Sequence, residues 1–222
     1  MSGSWTRQSV YWRRCHPETP ILPCMSAEDS PSGRKQLFNG RDLTGWEMVG
    51  DGSFVVEDGM LRTQGGMGLL WYTGSKFGNA TLRVVYRVSR VEDNSGVFIR
   101  IAEPPPDAWY AVHHGYEVQI LATGDEWHRT GCIYSITRAL ADAQKPPGEW
   151  NVMDIAMRGA CVDVTLNGVL VTTFDSAQPV PPRRYGYEPE RGPRPEHGYI
   201  GLQNHDADSV VHFREVSVEP LS

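Results

Sequence analysis

Residues 116–121 read Tyr116-Glu117-Val118-Gln119-Ile120-Leu121, large apolar side chains alternating with polar ones. Successive side chains of a β-strand point to opposite faces, so Tyr116, Val118 and Ile120 can enter a core while Glu117 and Gln119 stand together on the other face. The period specifies a half-buried strand. The same pattern recurs on both sides of it. Leu82, Val84, Tyr86 and Val88 alternate with Thr81, Arg83, Val85 and Arg87, and Gly96 to Ile101 forms a further strand. Phe54 to Glu57 and Met60 to Thr63 flank Asp58-Gly59, and Val162 to Leu166 and Val169 to Phe174 flank Asn167-Gly168. Both dipeptides tolerate the positive φ of a tight hairpin turn. Tyr199 to Asn204 and Val210 to Val218 supply the last strands.

Short strands recurring without intervening helices imply a sandwich or barrel. The one weak helical candidate lies at Arg138 to Gln144, and there is no internal repeat. Two long connections break the rhythm, Ala102 to Gly115 and the proline-rich Ser176 to His197, and connections of that length are usually functional or mobile. Their prolines favour stiff walls of a site over a floppy lid.

The 222 residues fit one large all-β domain. A net charge of -6 with scattered Lys and Arg provides no basic stripe for a phosphate backbone, which argues against a nucleic-acid partner. Cys15, Cys24, Cys132 and Cys161 are too widely spaced for a zinc or redox motif, and Cys132 and Cys161 read as small buried residues of strands. No apolar run is long enough for a transmembrane segment. Residues 1–35 lack periodicity and read as a disordered arm, with a single domain over 36–222. His16 to Pro20 stand where a signal peptide needs an apolar stretch, so a cytoplasmic location is expected, and Met25 is an alternative start with 1–24 as an upstream extension. The oligomeric state is not legible.

Several separated motifs then come together. They are Leu37-Phe38-Asn39-Gly40-Arg41-Asp42-Leu43-Thr44-Gly45-Trp46, Asn94-Ser95-Gly96-Val97-Phe98-Ile99-Arg100, Tyr116 to Leu121, Gly131-Cys132-Ile133-Tyr134 and Pro147-Gly148-Glu149-Trp150-Asn151. Leu166-Asn167-Gly168, Gly198-Tyr199-Ile200-Gly201-Leu202-Gln203-Asn204-His205 and Val211-His212-Phe213-Arg214 complete the series. In this order and spacing the chain resembles the 3-keto-disaccharide hydrolase family over residues 37 to 222. The resemblance implies a two-sheet antiparallel jelly-roll sandwich of the concanavalin A-like lectin/glucanase type. It also implies a carbohydrate substrate, a glycoside whose glucose unit carries a ketone at carbon 3. Members of the family are often exported. One departure is visible: Ala122 follows Leu121 where the family often has Asp, and Asp125 comes three residues later.

A ketone at carbon 3 acidifies the hydrogen on carbon 2, so the bond at carbon 1 can break by elimination, followed by addition of water to the enone. Such a reaction needs a base near carbon 2, an electrophile near the ketone oxygen and an acid for the leaving group. Parity sets Arg100 opposite Val97, Ile99 and Ile101, Glu117 and Gln119 opposite Val118 and Ile120, and Gln203 and His205 opposite Ile200, Leu202 and Asn204. These five are expected to share one sheet face. Glu117 or His205 would be the base or a metal ligand, Arg100 would polarise the ketone, and Gln119, Gln203 and Asn94 would hold sugar hydroxyls. Tyr134 and His128 are candidate acids, and Trp127 or Trp150 a stacking face. Glu117, His205, His128 and Asp125 carry donor atoms suited to a divalent metal, without the short spacing that marks a site. Two other readings share the fold: a non-catalytic lectin-like carbohydrate-binding domain, and a conventional β-glucanase-like glycosidase, which Gln119 disfavours by standing where a second carboxylate is needed.

Overall fold

The computed structural model describes residues 33–221. The strands are β1 (Lys35–Gln36), β2 (Trp46–Gly50), β3 (Ser53–Glu57), β4 (Met60–Gln64), β5 (Gly68–Tyr72), β6 (Ala80–Val88) and β7 (Ser95–Ile101). A helix α1 (Ala108–His114) leads into β8 (Tyr116–Ile120), followed by β9 (Asn151–Arg158), β10 (Cys161–Leu166), β11 (Val169–Asp175), β12 (Tyr199–Asn204) and β13 (Val211–Pro220). They form two antiparallel sheets, one of eight strands in the order β11-β10-β9-β6-β13-β4-β3 with β1 against β13, the other of five in the order β2-β5-β12-β7-β8. The expected concanavalin A-like sandwich is what the chain builds.

Both hairpin turns have the backbone their residues allow. Asp58 and Gly59 take φ of 50° and 75°, and Asn167 and Gly168 take 51° and 85°, so each pair carries the two positive φ values of a type I′ turn. The core lies between the sheets. Leu82, Val84 and Tyr86 of β6, Met153 and Ile155 of β9 and Phe213 of β13 meet Val97 and Ile99 of β7 and Val118 and Ile120 of β8. Burying each such aliphatic side chain stabilises the fold by roughly 1.5–3 kcal/mol.

The other face of the five-stranded sheet has its own apolar cluster, in which Ala108, Ala111 and Val112 of α1 pack on Leu69, Trp71, Phe98 and Ile101. The sequence pattern missed α1, although its start signal is present: the Asp107 carboxylate accepts the Tyr110 N–H at 2.8 Å as an N-cap. The helix expected at Arg138 to Gln144 does not form. Its amides are drawn elsewhere, Ala139 N–H to the Glu126 carbonyl and Leu140 N–H to the Val171 carbonyl, so no local helical ladder can close.

The parity of Arg100 also fails. Arg100 has φ of 56°, and the β12–β7 register shifts here, from Tyr199 opposite Ile101 to Gly201 opposite Phe98. A bulge adds a residue and reverses the alternation beyond it. Ile101 therefore joins Phe98 on the outer face, while Val97 and Ile99 remain in the core. Gly198 makes room for this, since a Cβ there would lie 2.4 Å from Arg100 Cα.

Trp46 and Trp71 are buried, whereas Trp150 is half-buried on the eight-stranded sheet under the guanidinium groups of Arg87 and Arg214, 4.9 and 4.5 Å from its ring centre. Cys132 is a buried free thiol, and Cys161 is only half-buried. No helix among the described residues is long and apolar enough to cross a membrane. Of the arm expected over 1–35, residues 1–32 lie outside the described residues, as do the alternative start at Met25 and the region searched for a signal peptide; Lys35 already pairs with Val218.

Candidate functional site

A cavity of about 620 Å³ opens on the outer face of the five-stranded sheet. Its polar lining is Asn94, Glu117, Gln119, His128, Tyr134, Gln203 and His205. Glu117 and Gln119 project from β8 and Gln203 from β12, with β7 running between those strands. Gly96 lets the two strands' side chains meet. It pairs with Gln119 in the β7–β8 ladder, and a Cβ on it would stand 2.4 Å from Glu117 Oε1. The carboxyl group of Glu117 thus fills the space of a missing side chain and receives a hydrogen bond from Gln203.

Glu117 is 7% exposed. Burial disfavours its charged form and pushes its pKa up to about 8, against the smaller opposing effect of Gln203. The carboxyl is therefore mostly protonated at neutral pH. Tyr134 is held beside β8, its N–H donating to the Glu117 carbonyl at 2.9 Å, while Gln119 N–H donates to the Cys132 carbonyl at 3.1 Å. This segment covers the edge that β8 would otherwise expose. Burial, then the nearby Glu117, push the Tyr134 phenol up to about 12, which keeps it a hydrogen-bond donor.

His128 and His205 reach the cavity from loops. His128 Nδ1 lies 2.7 Å from Asp125 Oδ1, and its ring meets that of Tyr134 edge-on at 5.3 Å. His205 Nδ1 lies 2.8 Å from Asp206 Oδ2. Two acceptors lining the cavity, Asn94 Oδ1 and Gln203 Oε1, are buried without a hydrogen-bond partner. Such oxygens suit the hydroxyl groups of a ligand.

Arg100 does not reach this cavity. Beyond the bulge its Nη2 donates to the Gly159 carbonyl at 2.6 Å and its Nη1 to the Pro195 carbonyl at 3.2 Å, which ties the β9–β10 turn to the 176–197 connection. Trp127 faces a smaller cavity of about 190 Å³ with Ser135, Pro181, Pro182, Arg184 and Arg191. Trp150 is on the opposite sheet. Glu117, Gln119, Gln203, His205, Asn94, Tyr134 and His128 come together; Arg100, Trp127 and Trp150 do not.

The sequence pattern missed the cavity's apolar side, Met67, Trp109, Val112, Leu121, Tyr185 and Tyr187. The two tyrosines lie stacked, ring centres 5.2 Å apart and planes 9° from parallel, on the 176–197 connection. That connection is fastened at several points. The buried Glu188 carboxylate accepts Arg184 N–H at 2.7 Å and Arg191 Nη2 at 3.2 Å, while Arg194 donates to the carbonyls of His113 and Gly115 at 2.6 and 3.0 Å. The Tyr-Gly-Tyr spacing within a proline-rich stretch was the signal available for them.

A divalent metal would need converging donors. Among the described residues no three His, Cys, Asp or Glu side chains are grouped to hold one: His128 and His205 each face their own aspartate, and Glu117 meets a carboxamide. The donor set among the described residues does not fit a resident metal.

A protein-family model described as a 3-keto-alpha-glucoside-1,2-lyase-like domain matches residues 33–219. A Parabacteroides distasonis crystal structure provisionally described as a glycosyl hydrolase is similar at TM-score 0.70 and 26% identity, covering 85% of this chain and 99% of that one. A second of the same description and organism is similar at TM-score 0.63 and 25% identity, covering 92% and 94%. The carbohydrate binding module CBM66 from Bacillus subtilis shares the fold at TM-score 0.55 and 13% identity, covering 79% and 95%. No curated protein matches the sequence. With a match that spans nearly all the described residues, the chain belongs to the 3-keto-alpha-glucoside-1,2-lyase-like domain family.

Proposed function

We propose that the chain cleaves glycosides oxidised at carbon 3, by proton abstraction at carbon 2, elimination at carbon 1 and hydration of the enone. The observation that carries this reading is the buried Glu117 carboxyl on the cavity floor, its pKa pushed up to about 8. A carboxylic acid kept neutral at pH 7 donates a hydrogen bond to a ketone oxygen as it becomes an enolate, the use ketosteroid isomerase makes of a protonated aspartate. Glu117 takes the electrophile's role first expected of Arg100. His205, on the same cavity, serves as the base at carbon 2, and Tyr134 donates to the substrate. Gln119, Gln203 and Asn94 take sugar hydroxyls, and the two unpartnered acceptors among them support a hydroxylated ligand.

A pair of ionised carboxylates flanking a glycosidic bond, which ordinary glycoside hydrolysis requires, is not what lines this cavity. Incubation with a 3-keto-disaccharide, followed by glucose release and enone absorbance, tests the reading. Turnover that drops in Glu117→Ala supports it. Binding without turnover by the wild-type protein would establish the lectin-like reading instead, and hydrolysis of an unoxidised β-glucan the glycosidase reading.

A further inference from the structure

The two histidines of the cavity are built alike. Each has Nδ1 against an aspartate that also holds its own loop. Asp125 Oδ1 accepts the Trp127 N–H at 2.9 Å as well as meeting His128, and its carbonyl accepts the N–H groups of His128 and Arg129 at 3.0 and 2.8 Å. Asp206 Oδ1 accepts the N–H groups of Asp208 and Ser209 at 2.9 and 2.7 Å, which leaves Oδ2 for His205 and the Ser209 hydroxyl. A half-exposed histidine ordinarily samples several rotamers and both tautomers. Here each ring is fixed to a carboxylate that the backbone has already immobilised. A carboxylate on Nδ1 selects the Nδ1–H tautomer and frees Nε2 to exchange a proton.

We propose that Asp206–His205 and Asp125–His128 are two separately positioned proton-transfer units serving the two reacting carbons, with Asp125 and Asp206 as positioning residues. This rests on the proposed reaction, which has two proton transfers, one at carbon 2 and one at the leaving oxygen. His205 Nε2 takes the proton from carbon 2, and the C–H electron pair forms the enolate under the Glu117 hydrogen bond. The enolate then re-forms the ketone, the C1–C2 double bond appears, the C1–O bond breaks, and the leaving oxygen takes the Nε2 proton of His128, which enters the cycle as the imidazolium and leaves this step neutral. In hydration His128 takes a proton from water, the hydroxide oxygen bonds carbon 1, and carbon 2 recovers its proton from His205. One water is consumed, and both histidines return to their starting state. A single imidazole could carry the carbon 2 proton on to the leaving oxygen, as the histidine of a serine protease does, so the second unit is assigned on the second Asp–His pair lining the same cavity.

The tautomers and the two half-reactions are separable by experiment. Nitrogen-15 NMR of the wild-type protein, at a pH where the rings are neutral, is expected to show Nδ1–H for both histidines. Asp206→Asn, whose amide oxygen can keep the Asp208 and Ser209 contacts while its NH2 faces Nδ1, should return only His205 to the Nε2–H form. Asp125→Ala, which removes the oxygen shared by the Trp127 N–H and His128 Nδ1, should do the same for His128 alone. In deuterium oxide the wild type should exchange the carbon 2 hydrogen of 3-keto-glucose, about 10-fold or more faster than Asp206→Asn, whereas Asp125→Ala keeps that exchange. Asp125→Ala should in turn lose at least about 10-fold more cleavage of alkyl 3-keto-glucosides than of p-nitrophenyl 3-keto-glucoside, whose leaving group needs little protonation. Nε2–H rings in the wild type, or equal effects of the two variants on exchange and on leaving-group dependence, overturn the proposal. If the wild type neither exchanges nor cleaves, the proposed reaction itself fails, and the NMR result still decides whether the units exist.

Discussion

Glu117 and Asp154 are both carboxylates on alternating strands of one sandwich, and they behave oppositely. Asp154 stands on the outer face of the eight-stranded sheet, where Arg83 meets it with two hydrogen bonds of 2.7 and 2.9 Å in partial contact with water. Glu117 stands on the outer face of the five-stranded sheet beneath α1, the 131–134 segment and the tyrosine-bearing connection, with a carboxamide in place of a cation. The strand pattern is the same in both cases. Cover makes the difference: a charge-paired surface residue on one sheet, a carboxylic acid on the other.

The largest expected contrast is between Glu117→Ala and Asp154→Ala. Removing a donor aimed at a developing oxyanion costs about 10²–10³ in rate, so Glu117→Ala should lower kcat/KM on a 3-keto-disaccharide by that factor. Asp154→Ala should leave kcat/KM unchanged and lower stability by less than about 1 kcal/mol in urea unfolding, as expected of a part-exposed pair. Equal kinetic effects would erase the distinction between the faces.

Gly96→Ala probes the same contrast from the neighbouring strand. Its Cβ has no room beside Glu117 Oε1, and misplacing a reacting group by about 1 Å costs on the order of 100-fold. Loss of activity with circular dichroism intact is the expected result.

The pH dependence sharpens the comparison. As the hydrogen-bond donor proposed above, Glu117 acts only while protonated, so kcat should fall as pH rises through about 8. Stability follows the same sign. In the most acidic range the carboxyl is protonated in both states. As pH rises above the ordinary carboxylate range, the unfolded chain ionises while the folded chain does not, so folding loses stability until pH passes about 8. Thermal unfolding of Glu117→Gln should lack that loss and exceed the wild type at pH 8, by about 2–4 °C for each kcal/mol recovered. A wild type and variant with parallel Tm profiles from pH 5 to pH 8 would show that Glu117 ionises freely.

The smallest effect belongs to the tyrosine pair. Tyr187→Ala should raise KM about 3- to 10-fold with kcat nearly constant, consistent with the 0.5–1.5 kcal/mol of an aromatic contact. A fall in kcat at constant KM would place the ring at the chemistry instead.

The fold was legible because period-two alternation and the Asp58-Gly59 and Asn167-Gly168 turns are local properties of sequence. The polar floor was legible for the same reason, since Glu117, Gln119 and Gln203 lie on regular stretches where counting by two works. Arg100 was misplaced because one residue with positive φ resets the count, and residue types alone do not disclose a bulge. Helix α1 was hidden by its short length. Tyr185 and Tyr187 were hidden because a loop has no period, and their position depends on ties to Ser135, His113 and Gly115 far away in sequence.

Gly96 also offers a way to sort relatives of this chain. Because the acid occupies the volume a side chain would claim, glycine opposite Gln119 and glutamate two residues before it are sterically tied to one another. A relative with any larger residue at this glycine is expected to have surrendered the acid as well, whatever the rest of its fold retains.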